Sequence, residues 1–157
     1  MSIEVVRIDD RLIHGQVATT WINDYEIEQV IIVDDEVNQD EMRKTMVGVA
    51  APVGVKVRIF STARFLEVMQ KAKITRKTLL IMTTPITALE LLENNFPIKE
   101  IIVGGMHMIE GRERISKAVS INEKEKDAFK KIAEYGTKLT VQTVPRDEKS
   151  DLLSLLQ

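Results

Sequence analysis

Five short runs rich in Val, Ile and Leu punctuate this chain, and they limit its fold more than any other feature. They are IEVVRI (3–8), QVIIVDD (29–35), VKVRIF (55–60), TLLIM (78–82) and EIIVGG (100–105). Most lack the apolar–polar alternation of a strand with one wet face. Near-continuous runs of this length need cover on both sides, as strands of a parallel sheet do. Two weaker runs follow. KAVSI (117–121) predicts a sixth strand, and KLTVQTV (138–144) alternates like a strand nearer an edge.

Helical spacing fills the gaps. A first helix is predicted from Gly15 to Asn23, with Val17 and Trp21 facing the core. Met42, Met46 and Val49/Ala50 recur at helical spacing in 39–50, and Phe65, Leu66 and Met69 do so in 62–72. The methionines at 42, 46 and 69 read as core. Thr84-Pro85 reads as an N-cap with proline at the first helical position, opening 85–94. Asn122 with Glu125 reads as a capping arrangement for 123–135, which Gly136 would end. The tail DEKSDLLSLLQ is predicted to be a last amphipathic helix. Strand–helix alternation of this kind gives an α/β fold. It is an open, mostly parallel sheet of about six or seven strands, with right-handed crossovers and helices on both faces. No linker or repeat interrupts it, so residues 1–157 are expected to form a single domain.

Composition then removes whole classes of function. A net charge of −2 and few aromatics (one Trp, two Tyr, four Phe) leave no basic stripe and no base-stacking platform for nucleic acid. There is no cysteine, hence no disulfide, iron–sulfur cluster or thiol chemistry, which fits a reducing cytosol. The opening MSIEVVRIDD is not a signal peptide, and no run is long and apolar enough to span a bilayer. Two histidines without cysteine make poor structural-zinc material. No dinucleotide fingerprint, Walker motif or G-x-S-x-G elbow is present, so no metal or cofactor is called for.

In open α/β sheets, sites form on the loops at the carboxyl ends of the strands. Those loops carry Asp9-Asp10-Arg11-Leu12-Ile13-His14-Gly15, then Asp34-Asp35, Ser61-Thr62, Thr83-Thr84-Pro85 and GGMHM with Gly104, Gly105 and His107. His14 would stand at the mouth of the first helix, where free amides and the positive end of the dipole favour an anion. Gly15 lets backbone amides approach a ligand, and Arg11 offers a charged fork suited to phosphate. One neighbouring acid can orient the imidazole, leaving its other nitrogen free to attack, and the other can hold Arg11. Asp10 is assigned the first role. The catalytic candidates are thus His14, Arg11 and Asp10, and the phosphate-binding candidates are Gly15, Gln16, Arg7 and Thr84. Plainer readings stand beside these. Arg7 and Asp9 can be a surface ion pair, Asp34 and Asp35 helix caps, Thr84 only a cap, and His107 a solvated residue of a glycine turn.

The stretch RIDDRLIHGQVATTW resembles the opening of the IIB component of the mannose/fructose/sorbose-type sugar phosphotransferase system. The likeness continues through DDEVNQDEMRKTMVGVAAPVGVKV, TTP, IIVGGMH and AVSINEKEKDAFKKIAEYG, over essentially the whole chain. The resemblance implies a cytoplasmic phosphocarrier, peripheral to the membrane through its partners. In that family the loop histidine, here His14, takes a phosphoryl group on Nδ1 from a IIA phosphohistidine. It passes the group to a sugar, usually at the 6-hydroxyl, as the membrane IIC and IID components import it. Arg11 matches the motif's phosphate-stabilising arginine, and Asp10 and Gln16 match neighbours in the active loop. IIA would be a separate polypeptide or subunit. Leu12, Ile13, Met106 and Met108 are read either as an apolar rim on which IIA docks or as buried packing of the loop. Two rival functions are a receiver-like domain phosphorylated on Asp34 or Asp35 and a non-catalytic anion-binding domain. The sequence leaves the sugar open among mannose, fructose, sorbose, N-acetylgalactosamine and others. It leaves open the oligomeric state too, a homo-oligomer included.

Overall fold

The structure, a computed structural model, describes residues 2–156. In chain order it runs β1 (Ile3–Asp9), α1 (Gly15–Asp24), β2 (Gln29–Val33), α2 (Asp35–Gln39), α3 (Glu41–Ala50), β3 (Lys56–Phe60), α4 (Thr62–Lys71), β4 (Thr78–Met82), α5 (Pro85–Glu93), β5 (Glu100–Gly105), β6 (Glu113–Ser116), β7 (Val119–Ile121), α6 (Glu123–Glu134), β8 (Lys138–Val141) and β9 (Ser150–Asp151), then a 3-10 turn at Leu153–Leu156. Seven strands form one sheet in the order β3-β2-β4-β1-β5-β8-β9. Every pairing in it is parallel except that of β9 with β8.

The double-sided burial read from the sequence is present. Along β2, β4 and β5 the residues alternate between two apolar layers. Ile31, Val33, Leu80, Met82, Ile101 and Val103 pack under α4, α5 and α6, against Phe65, Leu91 and Phe129. Val30, Ile32, Leu79, Ile81 and Ile102 pack under α1, α2 and α3, against Trp21, Val37 and Val47. The helix starts follow their caps. Asp34, Asp40, Ser61 and Thr84 each accept a bond from a first-turn amide, and Asn122 with Glu125 forms the full reciprocal capping box.

Three expectations change. KAVSI does contain a strand, but β7 pairs antiparallel with β6 beside the main sheet, to which a bridge from Val119 to Met106 links it. The tail is only in part helical: a short strand comes first, and a single 3-10 turn at Leu153–Leu156 stands where an amphipathic helix is expected. Ser150–Asp151 adds to β8, which would otherwise present unpaired backbone at the sheet's edge, and Leu152 and Leu156 turn into the core. On α3 only Val47 is buried, whereas Met42 is 74% exposed, Met46 64% and Val49 81%. The helix lies against β3, the last strand of the sheet, so one row of side chains finds cover and the methionine row does not. Met69, by contrast, packs against the core as read.

Strand β1 lies between the two halves of the sheet. The chain builds β2, β3 and β4 on one side of it, then crosses over to place β5 and β8 on the other. The carboxyl end of β1 is therefore the topological switch point, where open α/β folds hold their ligands.

Candidate functional site

The site begins with an irregularity in the sheet. Ile8 pairs with Val103 and Asp9 with Gly105, so Gly104 is an extra residue on β5. A Cβ on Gly104 would lie 1.8 Å from Arg7 Nη2, and one on Gly105 would lie 2.8 Å from Arg11 Nη2. The two glycines make the room that two arginines occupy.

Arg7 is only 3% exposed. Its Nη1 donates to the carbonyl of Gln142 at 3.0 Å, and its Nη2 to the carbonyl of Thr143 at 3.0 Å and to Asp9 Oδ2 at 3.2 Å. The guanidinium stacks 4.8 Å from the centre of the Trp21 ring, and Trp21 Nε1 donates to the same Thr143 carbonyl at 2.8 Å. Burial pushes the Arg7 guanidinium below its usual pKa, and Asp9 partly offsets that. The expectation that Arg7 binds phosphate is corrected here: its donors are committed inside the protein. The surface-pair reading of Arg7 and Asp9 fails as well, because both are buried.

Asp9 is the hub. Its Oδ1 accepts from the Arg11 amide at 3.0 Å and Nε at 2.9 Å, and its Oδ2 accepts from Arg11 Nη2 at 2.8 Å. This fork holds Arg11 as the sequence reading assigned to one of the two acids. The bond to Asp9 raises the Arg11 pKa above its usual value. Arg11 Nη1 makes no hydrogen bond among the described residues, and a third of the side chain is exposed. The charge is fixed in place with one face left over for a ligand.

Beyond Arg11 the loop is strained. Leu12 has φ 62°, a left-handed conformation costing about 1–3 kcal/mol for such a side chain. Burial of Leu12 and Ile13 in the α1 layer and the Leu12 amide bond to Asp9 O at 3.0 Å offset it. Gly15 has φ 49°, the second left-handed position. Between them stands His14 at the N-cap of α1, with extended backbone and no side-chain cap bond. Its imidazole is exposed and unbonded among the described residues. The first-turn amides of Gly15, Gln16 and Val17 have no partner within the helix, and no acidic residue sits in that turn. Gln16 is exposed beside them.

Asp10 does not orient His14, which corrects that expectation. Asp10 Oδ2 accepts from His107 Nδ1 at 2.7 Å, the His107 amide at 3.0 Å and Arg112 Nη1 at 3.3 Å. His107 is exposed yet tied to this carboxylate, and is more than a solvated turn residue. A cleft of about 260 Å³ opens there, lined by Asp10, Arg11, His107, Arg114 and Lys117 among others. A hollow of about 740 Å³ lies instead at the amino ends of the strands, under Leu66, Met69 and Phe96, away from these loops.

The other loop residues are caps. Thr84 accepts from the Ile86 amide as the cap of α5, which leaves its O–H free to donate, and no hydrogen bond joins it to the His14 loop among the described residues. Asp34 is buried, accepts from the Val37 amide at 2.9 Å and takes a bond from the Thr83 hydroxyl. Asp35 accepts from the Thr62 amide at 2.7 Å. Asp34 is therefore buried and bonded through both oxygens, whereas Asp35 is exposed and gives one oxygen to the start of α4. Of the suggested rim, Leu12, Ile13 and Met106 are buried, and only Met108 is exposed, with Ile109 and Ile86. Two residues escaped the sequence reading. Glu125 was read only as a cap, and Arg112 was not singled out, though Arg112 forks onto Glu125 at 3.0 and 2.7 Å.

Comparison with known proteins agrees with this architecture. The model of the family described as "PTS system sorbose subfamily IIB component" matches residues 3–157. The chain is 37% identical to the sorbose-specific EIIB component of Lacticaseibacillus casei, covering 98% of this chain and 94% of that one. It is 38% identical to the mannose-specific EIIAB component of Escherichia coli K12, covering 99% of this chain but 49% of that protein, about half its length. The crystal structure of the IIBSor domain of the sorbose permease from Klebsiella pneumoniae superposes with a TM-score of 0.93 at 33% identity, covering 99% and 96% of the two chains.

Proposed function

The chain belongs to the sorbose-subfamily IIB components of the sugar phosphotransferase system, and from that premise we propose that His14 is the residue on which it carries the phosphoryl group. As a IIB component it is a phosphocarrier in sugar transport. The finer reading is this. A phosphohistidine on a IIA protein donates to His14 Nδ1. The donor N–P bond breaks as the new one forms, and a sugar hydroxyl later takes the group as it loses its proton. IIC and IID membrane proteins present that sugar.

The observation that carries the reading is the isolation of His14: an exposed imidazole at a helix mouth, unbonded among the described residues, three positions after an anchored arginine. Phosphoryl transfer asks for positioning and charge stabilisation more than covalent machinery. The amides of Gly15, Gln16 and Val17 and the spare face of Arg11 supply donors for the phosphoryl oxygens. Gln16 is kept as a contact of the bound group, and Thr84 as a candidate only through the neighbouring loop. Asp10 supports the loop from behind.

The test is labelling with the general phosphodonor proteins and a matched IIA, followed by mass-spectrometric mapping. The expected label sits on His14, survives base and is lost in acid. His14→Ala is expected to take no label while melting as the parent does. A base-labile label, or a label on another residue, refutes the assignment. A chain that binds inorganic phosphate but is never labelled supports the anion-binding alternative.

A further inference from the structure

Asp10 leaves the His14 loop toward a junction that phosphoryl transfer, as described above, does not use. There Arg112, reached after a turn beyond β5, lies between two carboxylates, and all three side chains are nearly buried. Its Nη1 donates to Asp10 Oδ2 at 3.3 Å and to the His107 carbonyl at 2.7 Å. Its Nε and Nη2 fork onto Glu125 Oε1 and Oε2. Glu125 Oε1 also accepts from the Asn122 amide at 2.9 Å, closing the α6 capping box. Burial lowers the Arg112 pKa, but the bonds to Glu125 and Asp10 outweigh it and the net shift is upward, so the cation persists. Asp10 Oδ1 has no hydrogen-bond partner among the described residues, so the Asp10 side chain is held through Oδ2, by Arg112 and by the ring and amide of His107.

We propose that Arg112 is a positioning residue of the transfer site, a strut that fixes the His14 loop against the N-terminus of α6. The proposal rests on the reading that His14 carries the phosphoryl group. The loop needs such a strut. Leu12 sits at positive φ, a conformation that a leucine keeps only when its surroundings hold it. Asp10 is two residues before Leu12 and is tied at its backbone to Gly105 O at 3.0 Å. The strut adds the side-chain anchor. It makes three charge-assisted bonds to carboxylates and one to the His107 carbonyl, where an exposed pair would make one or two weak ones. A lysine can supply the charge there but not the fork, so the geometry asks for arginine.

The test uses the full chain with Arg112→Lys and Arg112→Gln. Three quantities are measured: the thermal melt, the single-turnover rate of phosphoryl acceptance from phospho-IIA, and the amide resonances of the unphosphorylated protein. Arg112→Gln is expected to slow transfer at saturating donor by about tenfold or more, with KM for phospho-IIA changed by less than about twofold. Arg112→Lys is expected to fall between the two. The amides of Leu12 to Gly15 are expected to shift in both. If Arg112→Gln does not fold, Arg112→Lys carries the test alone. Folded variants with parental rates and unmoved Leu12–Gly15 amides, or a lowered melting temperature with parental rates, overturn the proposal. A parent chain that takes no label on His14 overturns the phosphocarrier assignment instead. The amide shifts, read without phosphate, still report in that case whether Arg112 holds the loop.

Discussion

Replacing Gly104 with alanine puts the packing around Arg7 to a direct test. The new Cβ would lie 1.8 Å from Arg7 Nη2 and 2.2 Å from Cζ, far inside any real contact. Arg7 has no free space to retreat into. It is stacked on Trp21 and bonded to two carbonyls and Asp9. Moving it breaks three bonds from a charged donor and leaves Asp9 short of a partner. Overpacking alone costs about 1–3 kcal/mol, and disrupting a buried charge pair costs about 3–5 kcal/mol. The terms overlap, so about 3–5 kcal/mol is expected in total, a large share of the roughly 5–15 kcal/mol by which such domains are stable. For a chain of this size that lowers Tm by about 6–20 °C. Circular dichroism melts of Gly104→Ala beside Gly105→Ala read this out. The second substitution meets Arg11 Nη2 at 2.8 Å and Arg11 Nε and Asp9 Oδ1 at 3.0 Å, a far lighter clash that a small shift relieves, and about 1 kcal/mol is expected. In an Arg7→Met background the further loss from Gly104→Ala is expected to shrink, since both changes act on one contact. A Gly104→Ala chain melting within about 2 °C of the parent, or equal effects at 104 and 105, refutes the reasoning.

Other substitutions separate function from packing. Arg11→Ala is expected to slow phosphoryl acceptance more than it lowers stability, because Asp9 keeps its pair with Arg7; parental transfer rates would count against a role for Arg11. Met42→Gln, Met46→Gln and Val49→Thr are each expected to change stability by no more than about 0.5 kcal/mol in urea melts, the reverse of what a core reading demands. Asn122→Ala removes one half of the α6 capping box and is expected to cost about 1 kcal/mol by the same assay.

What the sequence disclosed followed from periodicity and caps. The runs of β2, β4 and β5 need two covered faces, and that alone implies a parallel sheet with helices on both sides. Thr84-Pro85 and Asn122/Glu125 announced their helices because capping is local chemistry. His14 could be placed at the loop edge from sequence because sheet topology fixes which end of a strand faces the following helix. The errors share a different cause. Whether Met42 is core depends on β3 being the last strand, which no local pattern states. Leu152 and Leu156 have helical spacing, but the open side of β8 claims the residues before them as a strand. Asp10 was assigned to His14 by nearness in sequence, while its true partners lie about a hundred positions on. The paired glycines of β5 were legible as a turn signal. Their purpose, giving space to Arg7 and Arg11, appears only once β1 lies beside them.

The carbonyls that receive Arg7 belong to Gln142 and Thr143, 135 and 136 positions further along. A chain emerging from the ribosome N-terminus first therefore carries its first strand, arginine included, long before the acceptors exist. At about 5–20 residues per second, that interval lasts roughly 7–27 seconds. Until then the guanidinium has only Asp9 and the Trp21 ring among its eventual partners. The arginine of β1, among the earliest residues made, is thus among the last to gain its full set of bonds, and a nascent product lacking residues 142 and 143 would leave two of its three bonds unmade.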